Sequence, residues 1–153
     1  MVNRGKDFEE VVKKCFENVP DTTVIRLPDP TNGYLGVRNI CDFLVYQYPH
    51  IMFIECKSVH GNTMPFSNIT DNQWNGMLKQ AETKGTICGV ICWWVDKDVT
   101  KFLPITELAY IRDNFNQKSV RYDGIEGFEI EGTKKRIFFD YNMEAFIDDL
   151  FGR

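Results

Sequence analysis

Residues 39–57, NICDFLVYQYPHIMFIECK, read as two apolar strands joined by a turn around Gln47-Tyr48-Pro49-His50, and they carry three charges where a core hairpin would carry none. Side chains alternate along a strand, so Glu55 and Lys57 leave one face while Ile54 and Cys56 leave the other. Asp42 sits on the preceding strand and can reach the face that Glu55 and Lys57 share. An unpaired charge on a buried strand is expensive, and carboxylates persist there only when paired or bound to a metal. Hard divalent cations take oxygen ligands, and Mg²⁺ uses one or two carboxylates with water and substrate phosphates. The expectation is a cation-binding site suited to phosphodiester hydrolysis.

Asp42 followed by Glu55-Cys56-Lys57 resembles the D…(D/E)xK signature of the PD-(D/E)xK nuclease superfamily. A second E-x-K, Glu82-Thr83-Lys84, falls in helix-patterned sequence, where residues two apart do not face each other, so it makes no site. Three further stretches carry a more specific likeness. Arg26-Leu-Pro-Asp-Pro precedes the hairpin, Phe53-Ile-Glu-Cys-Lys-Ser lies within it, and Met64-Pro-Phe-Ser-Asn-Ile-Thr-Asp-Asn-Gln73 follows it. In that order and spacing they resemble the RecU-type Holliday junction resolvases of Gram-positive bacteria and their phages, a likeness running from Asn3 to about Phe146.

The resemblance implies a metal-dependent DNA endonuclease acting on branched, four-way DNA as a homodimer. Catalysis falls to Asp42, Glu55 and Lys57, assisted by Glu9 and Gln73. Asp42, Glu55 and the Cys56 carbonyl are the expected contacts to Mg²⁺, with Mn²⁺ as the alternative ion. Members of that family carry a long protrusion near this point, whereas the space from Pro30 to Asp42 is short. Two other readings stay open: a nuclease for flaps, nicks or duplex sites, and a nuclease-fold module that only binds DNA or protein. The complete set of Asp42, Glu55 and Lys57 argues against the second, because buried ions cost several kcal/mol to keep (~3–5 when one partner is removed).

The length of 153 residues suits one domain, here a single nuclease domain over 1–153, and the composition is ordinary for a globular chain. No run approaches the ~20 apolar residues of a membrane helix, and Met1-Val-Asn-Arg-Gly-Lys has no apolar stretch behind its charges, so a cytoplasmic protein is expected. Five cysteines without a C-x-x-C pair point to reduced thiols. With only His50 and His60 as imidazoles, neither a zinc finger nor a histidine-metal nuclease site is expected.

The net charge of −4 runs against DNA binding. Without Glu9, Asp42 and Glu55 the 22 acids become 19, against 18 bases. Basic residues gather at Arg4/Lys6, Lys13/Lys14 and Lys134-Lys135-Arg136, and a local positive stripe is what phosphate contact needs. Arg4, Lys6 and Arg38 are the expected DNA contacts.

From Asp7 to Val19 the apolar residues Phe8, Val11, Val12, Cys15, Phe16 and Val19 recur with helical period. Glu9 borders that stripe and Glu10 opposes it, facing water. Thr22 to Leu27 reads as the first strand. A helix begins near Thr70 with Trp74, Met77, Leu78 and Ala81 buried. Gln73 has two readings, completing a Thr70-x-x-Gln73 capping box or turning toward substrate, and the two compete for one side chain. The run from Ile87 to Val95 is apolar on both faces, the mark of a central strand, and places Trp93 and Trp94 in the core. Phe102 to Ile105 is a strand that Pro104 confines to an edge or end. Thr106 is the expected N-cap of a helix over Glu107 to Phe115, and Arg136 to Phe139 the last strand. Asn142 caps a terminal helix that turns Ala145, Phe146, Leu150 and Phe151 inward. The order of elements suits an α/β fold, a restriction-endonuclease-like mixed β-sheet flanked by helices.

Overall fold

The computed structural model describes residues 4–28 and 39–153; the segment 29–38, with Arg38 and the short stretch after Pro30, lies outside the described residues. The hairpin forms as its alternation predicts. Strand β2 (Phe43–Gln47) pairs antiparallel with β3 (His50–Val59), Phe43 opposite Ile54 and Gln47 opposite His50. β1 (Thr23–Arg26) adds to the outer side of β2, antiparallel. On the other side β3 runs parallel to β5 (Thr86–Trp94), with Glu55 opposite Val90 and Ser58 opposite Trp93. β6 (Val99–Pro104) follows antiparallel, and the short β8 (Phe128–Glu129) completes the six-stranded order β1-β2-β3-β5-β6-β8.

β5 is central, as its unbroken apolar run requires, and both tryptophans are buried within it. They leave opposite faces because they are neighbours on a strand. Trp93 joins a core with Phe8, Val12 and Phe16 of helix α1 (Arg4–Glu17) and with Phe146 and Ile147 of helix α4 (Met143–Phe151). Trp94 joins a second core with Trp74 and Met77 of helix α2 (Asp71–Gln80) and with Ile105 and Leu108 of helix α3 (Ile105–Phe115). The mixed sheet is thus covered by α1 and α4 on one face and by α2 and α3 on the other. Burying each large apolar side chain contributes about 1.5–3 kcal/mol, which holds these layers closed.

Two ribbons flank the sheet. β4 (Thr63–Pro65) pairs with β7 (Ser119–Arg121), and β9 (Gly132–Lys134) pairs with β10 (Phe139–Tyr141).

Several local expectations shift. Helix α3 starts at Ile105 directly from β6, so its N-cap position is Pro104 without a side-chain bond, and Thr106 lies inside the helix. Arg136, Ile137 and Phe138 form the turn between β9 and β10, and the strand begins only at Phe139. In α4, Asn142 does cap, accepting from the Ala145 N–H, but Ala145 itself is exposed while Met143 and Ile147 are buried. Glu82-Thr83-Lys84 falls in exposed turns just beyond α2. No helix among the described residues is long and apolar enough to cross a membrane.

Candidate active site

The last β2–β3 pair is Phe43 with Ile54, and the chain bends at Cys41 and Asp42, so β3 continues past the end of β2 with one edge uncovered. Asp42 closes that gap. Its N–H donates to the Ile54 carbonyl (3.0 Å) and its carbonyl accepts from the Leu27 N–H (2.9 Å). Its side-chain Oδ2 accepts from the Cys56 N–H at 2.8 Å. Cys56 lies between Glu55 and Lys57, so one backbone amide ties the carboxylate of the preceding strand to the E-x-K segment.

Glu55 and Lys57 share a face and pair, Nζ to Oε2 at 2.9 Å. Glu55 is only 4% exposed, and its second oxygen, Oε1, is buried without a hydrogen-bond partner among the described residues. A carboxylate oxygen so placed is costly unless a cation or a proton reaches it.

Electrostatics agree with that geometry. Burial, followed by the charge of Glu55, pushes the Asp42 carboxyl up to about 8, and the Cys56 N–H offsets only part of this. Burial also raises Glu55, against the opposing effects of Lys57 and of a side-chain hydrogen bond from Gln73. Two carboxyls competing in one narrow gap retain a proton, and a divalent cation relieves the same repulsion.

The remaining predicted residues fall around this pair in different ways. Glu9 comes from α1, on the face of the sheet opposite Glu55, and its Oε1 accepts from Arg26 Nε at 2.8 Å. Its charge still raises both Asp42 and Glu55. Gln73 takes the first of its two readings: Oε1 accepts from the Thr70 N–H (3.1 Å), completing the capping box, and the side chain stands near enough to Glu55 to oppose the rise in that carboxyl's proton affinity. Arg4 and Lys6 are exposed in the first turn of α1.

Two neighbours were missed. Arg26, noticed only as part of a motif, holds Glu9; the available signal was its register, because Arg26 opposite Phe43 must face α1. Asn72 Nδ2 donates to the Asn39 carbonyl (3.2 Å), tying α2 to the chain entering Asp42, and no sequence pattern announces that bond.

The donor set fits a hard divalent cation. Among the described residues no group of three or more His, Cys, Asp or Glu side chains forms a metal cage. Mg²⁺ needs only one or two carboxylates, its other positions going to carbonyls, water and phosphate. An extended residue sends its N–H and C=O to the same edge. The Cys56 carbonyl therefore faces the gap that its N–H enters.

A buried glutamate and a half-buried aspartate joined through a backbone amide, beside an ion-paired lysine at the open end of a mixed sheet, place the protein in the class of PD-(D/E)xK nucleases. The family model described as "RecU: Recombination protein U" matches residues 3–145. The chain belongs to this RecU family of Holliday junction resolvases, which are endonucleases. Among solved structures it is similar to Hjc, a Holliday junction resolvase from Archaeoglobus fulgidus. The TM-score is 0.49 at 14% identity, covering 68% of this chain and 75% of that one. No curated protein sequence matches it.

Proposed function

We propose that this chain cleaves phosphodiester bonds of four-way DNA junctions with Mg²⁺, or Mn²⁺ in its place, through Asp42, Glu55 and Lys57. The observation that carries the reading is the buried, unpartnered Glu55 Oε1 next to a carboxyl whose proton affinity is raised. Asp42 and Glu55 supply carboxylate oxygens and Cys56 its carbonyl. When bound there, the cation supplies Lewis acidity and positive charge at the scissile phosphate.

Lys57 sits beside Glu55 with its ammonium held at 2.9 Å, a fixed point charge that orients the attacking water and stabilises charge developing on the phosphoryl oxygens. Gln73, at the start of α2, assists beside the Glu55 carboxylate. Glu9, held by Arg26, reinforces the negative potential from the other face. Arg4 and Lys6, with Arg38, contact flanking phosphates.

One chain offers one such site among its described residues, whereas resolving a junction requires two matched cuts. A two-fold pair of chains provides them, and this is the commonest form of assembly. The proposed setting is the cytoplasm.

The test compares a synthetic four-way junction with linear duplex of the same sequence, with Mg²⁺ and with chelator. Cleavage should favour the junction and require the metal, and Lys57→Ala should lower the rate by ~10²–10³ while junction binding persists. Undiminished cutting by that variant would remove the assignment, and equal cutting of duplex would remove the junction preference.

A further inference from the structure

The only run of three basic residues in the chain, Lys134-Lys135-Arg136, projects from the β9–β10 hairpin. This hairpin is firmly rooted. At its base the Tyr141 hydroxyl and the Thr100 hydroxyl share a buried hydrogen bond of 2.6 Å. Its turn is closed by the Lys135 N–H donating to the Phe138 carbonyl at 2.9 Å. The Phe138 ring packs on Trp93 with centroids 5.5 Å apart.

At the tip the cations divide. Lys134 is spent on Asp98, at 2.8 Å. Lys135 and Arg136 are exposed, and neither side chain has a partner among the described residues. Holding two unneutralised cations on a fixed turn gains nothing for folding, because exposed charges contribute little and their repulsion opposes compactness. Their surroundings supply the reason. Trp93, under Phe138, stands opposite Ser58, the residue after Lys57, and also packs against Phe8 of α1 at 5.4 Å. Phe138, Trp93 and Phe8 thus stack on the α1 face of the sheet, opposite the Glu55 and Lys57 side chains, and Trp93 is level with Ser58, so the hairpin packs toward the end of β3 that carries the active site.

We propose that Lys135 and Arg136 form a second phosphate-contact site, gripping the backbone of a duplex arm as it leaves the catalytic centre. The inference rests on the DNA-cleaving function proposed above. Arg136 offers a planar fork that matches a phosphate, and Lys135 a point charge beside it. Neither reads bases, so the site positions DNA without adding sequence preference.

The experiment measures dissociation constants of a labelled four-way junction for the full chain across a salt series, in chelator so that no cleavage occurs. Each neutralised phosphate contributes about 0.9 to the slope of log affinity against log salt. The double variant K135Q/R136Q should flatten that slope by about 2 and weaken binding ~10-fold at moderate salt, the single Arg136→Gln by about 1 in slope. The charge-retaining pair K135R/R136K should keep the wild-type slope. With Mg²⁺ restored, K135Q/R136Q should raise KM and leave kcat unchanged. If wild-type protein binds and cuts the junction but the glutamine variants keep its slope and affinity, the hairpin site is refuted while the nuclease reading stands. If wild-type protein neither binds nor cuts the junction, the functional reading itself fails, and the hairpin site with it.

Discussion

Replacing Asp42 with Asn separates the two things this carboxylate does. Asn retains an oxygen to accept from the Cys56 N–H, a bond of 2.8 Å in the wild type, so the strand geometry should survive. What disappears is a titratable carboxyl beside Glu55. The folded Asp42 carboxyl holds its proton up to about 8, against 3.8 for the ordinary group. Between about pH 4 and pH 8 the folded protein therefore binds a proton that the unfolded chain has already released, and metal-free stability falls as pH rises through that window.

At about 1.4 kcal/mol per pH unit the interval sets a ceiling of about 6 kcal/mol. The proton is shared with Glu55 and the gap is partly hydrated, so the expected loss is nearer 2 kcal/mol. Urea denaturation in chelator at about pH 5 and about pH 8 should show that loss in the wild type and much less of it in the variant. Mg²⁺ at a hundredfold excess over its dissociation constant should return about 2.7 kcal/mol to the wild type at the higher pH and little to the variant. Equal pH dependence in both proteins, or equal stabilisation of both by metal, would refute the paired-carboxylate account.

Two further perturbations probe the frame around the site. A Cβ at Gly89 would lie 2.4 Å from the Leu103 carbonyl oxygen and 2.7 Å from the Phe102 ring, so Gly89→Ala should push β5 and β6 apart and cost about 3 kcal/mol in urea denaturation. A change below about 0.5 kcal/mol would show that the strands can part freely. Thr70→Ala removes the hydroxyl that accepts from the Gln73 N–H at 3.2 Å and should lower stability by about 1 kcal/mol. Cleavage should stay near wild type, since the Thr70 N–H to Gln73 bond is made by the backbone and persists; a collapse of activity would mean that the hydroxyl sets the position of Gln73 near Glu55.

Local periodicity was sufficient for much of this molecule. Alternation placed Glu55 and Lys57 on one face, the helical stripe buried Phe8, Val12 and Phe16 and left Glu10 in water, and Thr70-x-x-Gln73 announced its capping box. The two-faced apolar run from Ile87 identified the centre of the sheet. These features follow from the direction of each side chain relative to its own backbone, which neighbouring residues set.

Partnerships across the sheet were not available in that form. That Asp42 bonds the amide between Glu55 and Lys57 depends on a bend at the end of β2, and that Glu9 pairs with Arg26 depends on the register of β1, which turns Arg26 toward α1. The short strands β7, β8 and β9 escaped notice because two or three residues carry too little period to read, and tertiary packing alone keeps them extended. The same packing seated Phe138 on Trp93, and with it the hairpin that carries residues 135 and 136, on the face covered by α1. Sequence determined what each segment presents, while the register of distant segments, chosen by the closing of two cores on one sheet, decided which of those presented groups meet.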